Sequence, residues 1–172
     1  MTIKHALRVP PGKLRHYQEQ YDFSAEANLD KYRRIASEQG CLTVAQLHEI
    51  CRWKSKRRAR LALLNPEALV REITAFSFSA KCEESRLGAL TLLSGVQFPT
   101  ASVILHFCVD RSYPILDFRA LWSLGVDQPS QYTIPFWKDY VALCRAVAAK
   151  HRMTVRELDM ALWQYSYKHQ PG

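Results

Sequence analysis

Three stretches of the chain hold residue types at spacings that could do chemistry. One is Tyr113-Pro114-Ile115-Leu116-Asp117, followed by Phe118-Arg119-Ala120-Leu121-Trp122-Ser123-Leu124-Gly125. It sets one carboxylate, Asp117, at the head of a helical stretch that closes with Leu124-Gly125. A fixed anion there can stabilise positive charge developing on a reacting group, most strongly where water is excluded. It can also act as a general base if its pKa suits. Aspartate in this place is equally an ordinary helix N-cap, and the two roles are compatible.

The second stretch is the break Ser94-Gly95-Val96-Gln97. Leu87, Leu90 and Leu93 stripe a short helix before it. Pro99 opens the next helix, where the missing backbone N–H costs nothing. That helix runs through Thr100, Ala101, Ser102, Val103, Ile104, Leu105, His106 and Phe107, so the pair spans 87–107. Ala101 and Ser102 are small and let the helices approach. Turn amides and the following helix N-terminus carry partial positive charge, which suits a phosphate. Such contacts position nucleic acid without reading its sequence.

The third stretch, Arg52 to Arg60, has six positive charges and no acid in nine residues. Lys54, Lys56, Arg57, Arg58 and Arg60 read as a phosphate-contacting edge, or as a solvated helix junction. Trp53 could stack on a base, or pack on the core with Ile50.

The elements that must position these residues are helical. Val44, Leu47 and Cys51 share a face; so do Leu69, Ile73 and Phe76; so do Phe136, Tyr140, Leu143 and Val147; so do Val155, Leu158, Leu162 and Tyr165. Thr43 with Gln46 and Thr154 with Glu157 have capping-box spacing. Asn65-Pro66 offers an N-cap followed by proline at the first helical position. Gly40 and Gly95 stand where C-caps belong. Period-2 alternation is hard to find, so the expectation is all-α, with about ten short helices. A length of 172 residues fits one helical domain over 1–172, with 1–12, around Pro10-Pro11-Gly12, as a loose arm.

Composition excludes several classes. No apolar run reaches the ~18 residues of a membrane span, and the first twenty residues lack a signal-peptide core. The expectation is a cytoplasmic protein, nucleoid-associated in a bacterium or nuclear in a nucleated cell. The net charge of +8 favours an anionic partner. Cysteines at 41, 51, 82, 108 and 144 are odd in number, widely spaced and without CxxC. That argues against a disulfide framework, a local zinc site and a clustered iron–sulfur loop. No metal ligand set is expected.

The break resembles a helix-hairpin-helix, whose usual form is L-x-G-V-G followed by threonine-alanine. Leu93, Gly95, Val96, Thr100 and Ala101 match it. With Asp117 about sixteen residues on, residues 83–125 resemble the helix-hairpin-helix (HhH-GPD) DNA glycosylase superfamily. The resemblance implies a two-lobed, all-helical fold. It aligns Asp117 with the catalytic aspartate, for hydrolysis of the N-glycosidic bond of a damaged or modified base. Bifunctional members carry a lysine just before the threonine-alanine pair. Pro99 stands there and cannot form a Schiff base, so a monofunctional enzyme using water is implied. Double-stranded DNA is the implied partner. No oligomer signal stands out in the sequence, so a monomer is expected. No iron–sulfur cluster is implied, and a monovalent cation at the hairpin is compatible with the family.

A glycosylase must flip its target base into a pocket. Trp53, Lys54, His106, Trp122 and Trp163 are the candidate lining groups, with core packing the competing role for Trp53, His106 and Trp122. Gln97 replaces the family's second glycine and could donate its side-chain amide. Two other readings stay open: a non-enzymatic DNA-binding module, and a helical domain for an acidic protein partner.

Overall fold

The computed structural model describes residues 3–24, 26 and 28–171. Among them every regular element is helical and no strand occurs. The chain divides into two compact units: Phe23–Arg111, and Met1–Asp22 together with Ser112–Gly172.

The central unit runs through α2 (Lys31–Gln39), α3 (Val44–Lys54), a 3-10 helix (Ala59–Leu64), α4 (Glu67–Ser79), α5 (Glu83–Leu90) and α6 (Phe98–Ile104). α6 continues into a π-helical turn, Leu105–Val109, where the Asp110 N–H donates to the Leu105 carbonyl at 3.0 Å. The α3 capping box forms as its spacing predicts. The Gln46 N–H donates to Thr43 Oγ1 at 3.2 Å, and the Thr43 N–H donates to Gln46 Oε1 at 2.8 Å. α2 stops at Gly40, whose φ of +67° is the left-handed cap conformation.

Two details differ from the sequence expectation. The apolar positions Leu69 and Phe76 of α4 face outward, and Phe76 is 51% exposed. The helix buries Val70, Thr74 and Ser77 instead. The polar pair is satisfied there: Thr74 Oγ1 accepts from the Leu42 N–H at 2.9 Å and donates to the Val70 carbonyl. Ser77 Oγ donates to the Arg86 carbonyl at 2.8 Å. Satisfied hydroxyls bury at little cost, so hydrophobic spacing alone mis-assigns this face. Secondly, Pro66 is the cap and Glu67 the first helical residue, because Pro66 keeps ψ at 140°. Asn65 is released from capping for another task, described below.

The other unit holds α1 (Leu14–Gln18), α7 (Phe118–Leu124), α8 (Ile134–Lys150) and α9 (Val155–His169). α9 packs against α1, α7 and α8. Its capping box, Thr154 with Glu157, also forms. α8 buries Trp137, Tyr140, Val141, Cys144, Val147 and Ala148, so Tyr140 and Val147 of the expected stripe are kept and Trp137, Val141, Cys144 and Ala148 join them.

The loose arm expected over 1–12 is corrected for its described part. The Ala6 and Arg8 amides donate to the Leu124 and Ser123 carbonyls at 3.0 and 2.8 Å, and Val9 is buried. Met1 and Thr2 lie outside the described residues. Gly125 makes this docking possible. Its φ is +66°, and a Cβ there would stand 2.1 Å from the Ala6 carbonyl oxygen.

Candidate functional site

Asp117 caps α7. Its backbone is extended (φ −144°, ψ 142°) and its side chain is half-buried. Oδ1 accepts from the Arg119 N–H at 2.9 Å. The carboxylate is therefore oriented by a backbone donor in the first turn, where the helix dipole also favours a negative charge.

The segment that delivers Asp117 is pinned one peptide upstream. Ile115 donates its N–H to Asp159 Oδ2 at 3.0 Å. Its carbonyl accepts from the Tyr140 hydroxyl at 3.0 Å. Asp159 and Tyr140 are both buried, on α9 and α8. Neither was legible as a site residue, since the pairings span 44 and 25 positions. Two phenols feel the Asp117 charge. Burial first, and the Asp117 carboxylate second, raise the Tyr132 hydroxyl above its ordinary value. Burial dominates at Tyr140, with smaller contributions from Cys144, Asp159 and Asp117.

Beside Asp117 stands an arginine among rings. The Arg119 guanidinium lies over Phe118, Trp163 and Tyr167, at 5.1, 5.4 and 5.5 Å from the ring centroids. Trp163 stacks on Tyr167 at 5.1 Å and meets the ring of Tyr21 edge-on. Phe118 is 48% and Tyr167 61% exposed. Trp122 belongs to a neighbouring cluster, stacked on Tyr165 with the Arg8 guanidinium over it at 4.8 Å. Trp163 and Trp122 are thus both partly exposed in the unit that carries Asp117.

The break at 94–97 lies in the central unit. Gly95 has φ +86°, and a Cβ there would meet Ala62 N at 3.0 Å and Leu61 Cβ at 3.2 Å. Its glycine is needed both for conformation and for packing on the 3-10 helix. Asn65 clamps the turn. Its Oδ1 accepts from the Ser94 N–H at 2.8 Å, and its Nδ2 donates to the Ser94 and Ala62 carbonyls. Gln97 is exposed and caps α6 with φ −117°. That backbone suits any residue, so no second glycine is required at 97. Val96, Thr100 and Ala101 are buried. They hold the turn from inside. The Leu93 and Ser94 carbonyls accept from the Val96 N–H and Asn65 Nδ2.

The basic run breaks at Ser55, where the backbone turns extended (φ −155°, ψ 94°) and ends α3. Lys54 is half-exposed, and Lys56, Arg57, Arg58 and Arg60 are exposed. Arg52, Lys56 and Arg60 line one cleft of about 670 Å³, together with Trp53, His48 and Glu49. Asn28, Leu29 and Ala59 complete its walls. Trp53 touches Phe107 in a T-shaped contact at 5.8 Å. His106 is fully buried against Phe107 in the π-helical turn, which gives it a core role and removes it from any open pocket.

Burial raises the thiols of Cys51 (to about 12), Cys108 and Cys144. Among the described residues no group of three or more His, Cys, Asp or Glu is arranged to hold a metal. No described helix is long and apolar enough to cross a membrane. No family model matches the chain, and no curated protein or solved structure matches it.

Proposed function

We propose that this chain is a DNA glycosylase-like enzyme of the helix-hairpin-helix type. It hydrolyses the N-glycosidic bond of a damaged or modified base in double-stranded DNA. The observation that carries the reading is Asp117: a half-buried carboxylate, oriented by the Arg119 N–H, on a segment pinned through Ile115 by Asp159 and Tyr140. Its place after the Leu93–Ala101 hairpin pattern supports the family assignment.

In the proposed reaction the bond between C1′ and the base nitrogen breaks. The bonding pair leaves with the base, which takes up a proton. Positive charge gathers on the sugar, and the Asp117 carboxylate stabilises it. Water adds to C1′ and gives its proton to Asp117, then to solvent. With Pro99 at the lyase-lysine position, no amine attacks the sugar. The product is an abasic strand that stays intact until treated with alkali. The 94–97 turn and Lys54, Lys56, Arg57, Arg58 and Arg60 hold phosphates. Partly exposed Trp163 and Trp122 are the favoured stacking groups for an extruded base.

The test is a panel of labelled duplexes, each with one altered base, incubated with the protein and treated with hot alkali. A cut strand that disappears with Asp117→Asn supports the reading.

One observation favours a second reading, a DNA-binding module without chemistry. Val96, Thr100 and Ala101 are buried and Asp117 already serves as a cap, so the matching residues all have structural work. That reading predicts salt-weakened duplex binding with no abasic product on any duplex.

A further inference from the structure

The cleft lined by Arg52, Lys56 and Arg60 is more than an exposed run of charge. The cations come from three local structures: the end of α3, the turn after it, and the 3-10 helix. The extended backbone at Ser55 breaks α3 between Arg52 and Lys56. It folds the run back on itself, where a continuous helix would carry it away. Positive groups gathered in a concavity focus an anion more strongly than the same groups on a convex surface.

The acid in the cleft is already occupied. Glu49 accepts from Lys31 Nζ at 2.9 and 3.1 Å, and from the Tyr32 hydroxyl at 2.6 Å. Lys31 offsets its charge, so Arg52, Lys56 and Arg60 face the cleft with an excess of positive charge. Trp53 adds a flat surface. Its T-shaped contact with Phe107 engages at most one face of the indole. Buried Leu29 and Ala59 supply apolar wall. A volume of about 670 Å³ lies within the range of small-molecule sites.

We infer that this cleft is a nucleotide site, in which Arg52, Lys56 and Arg60 hold a phosphate and Trp53 stacks on the base. The ligand chemistry is a phosphomonoester on a nucleoside, presented as a free nucleotide or as the phosphorylated end of a strand. No bond is made or broken. The site is complete within residues 28–60, so it does not rest on Asp117 or on base excision.

The experiment is calorimetric titration of the full chain at low salt. The probes are adenosine monophosphate, adenosine, inorganic phosphate, polyglutamate, and an oligothymidylate with and without a 5′-phosphate. Adenosine monophosphate binds saturably, and adenosine and inorganic phosphate bind at least about 10-fold more weakly. The Arg52→Gln/Lys56→Gln/Arg60→Gln protein, altered only at exposed positions, loses at least about 10-fold in affinity. Lys81→Gln/Lys150→Gln, at exposed positions outside the cleft, binds as the parent does. Trp53→Phe retains more affinity than Trp53→Leu, with melting curves confirming that both fold. A phosphorylated strand binding tighter than the mononucleotide, with its unphosphorylated twin weak, supports a strand-end site; equal affinities support a free-nucleotide site. Three results overturn the inference: no saturable binding of either phosphorylated probe, equal affinity in the triple variant, or polyglutamate binding as tightly as the mononucleotide.

Discussion

Asp159 Oδ2 accepts the Ile115 N–H at 3.0 Å, so a buried carboxylate on α9 fixes the peptide two residues before Asp117. The Tyr140 hydroxyl holds the carbonyl of the same residue. The strand-like entry into α7 is thereby tied to the two longest helices of its unit. Asp159 is a positioning residue in this account, acting on Asp117 through the backbone.

Replacing Asp159 tests that tie. Asp159→Ala strands the buried Ile115 N–H without its acceptor, which costs about 1–3 kcal/mol. Asp159→Asn keeps an acceptor oxygen and loses less. Urea melts of the two variants read the difference, and equal losses would argue that the hydrogen bond to Ile115 contributes nothing.

Gly125 and Gly88 make a matched pair. Gly125→Ala drives a Cβ into the Ala6 carbonyl at a φ of +66°. It should destabilise the protein by more than about 1 kcal/mol and speed hydrogen exchange at the Ala6 and Arg8 amides. Gly88 lies inside α5 with nothing within 4 Å of its added Cβ. Gly88→Ala should stabilise by about 0.5–1 kcal/mol. Thermal melts and amide exchange check both.

Glu49 links acid stability to the wall of the cationic cleft. The Tyr32 hydroxyl first, then Lys31, hold its carboxyl below the ordinary glutamate value. A lowered folded-state pKa stabilises the fold above the unfolded value, and that contribution drains away as pH falls through the folded value. The parent should therefore lose stability more steeply than Glu49→Gln as pH drops from about 5 to about 3. Melting temperatures across that range decide it, and parallel curves would remove Glu49 from the acid response.

The thiols should separate by burial. Cys51, Cys108 and Cys144 are buried and their thiols are raised by burial, that of Cys51 to about 12. Cys82 is exposed. At about pH 8 an aromatic disulfide reagent should modify Cys82 first, and the three buried thiols only after denaturant is added. Fast modification of Cys51 in the native protein would contradict the packing around α3.

How much of this was legible in the chain differs by kind of contact. Local chemistry was readable: both capping boxes, the Gly40 cap and the Asp117 cap rest on residues a few positions apart. Faces were readable only where burial follows hydrophobicity, which fails on α4 because Thr74 and Ser77 are hydrogen-bonded inside. Long-range partnerships were not. Asn65 looked like a cap and instead clamps Ser94, 29 positions away. Asp159 gave no local signal at all. The basic run was visible, but not the fold-back at Ser55 that brings Arg52, Lys56 and Arg60 around one cleft. Nor did spacing show that the Ala6 and Arg8 amides dock on the Leu124 and Ser123 carbonyls.

The central claim is that Asp117 supports base release. Asn is as good an N-cap as Asp, so Asp117→Asn should preserve α7 and its stability while removing the negative charge. The most direct measurement is abasic-site formation by the parent and by Asp117→Asn, on the duplex of the panel that the parent processes. The parent should give alkali-labile cutting and the variant a loss of at least about 100-fold, with melting unchanged. Equal base release by both proteins, or no cut strand from the parent on any duplex, would contradict it.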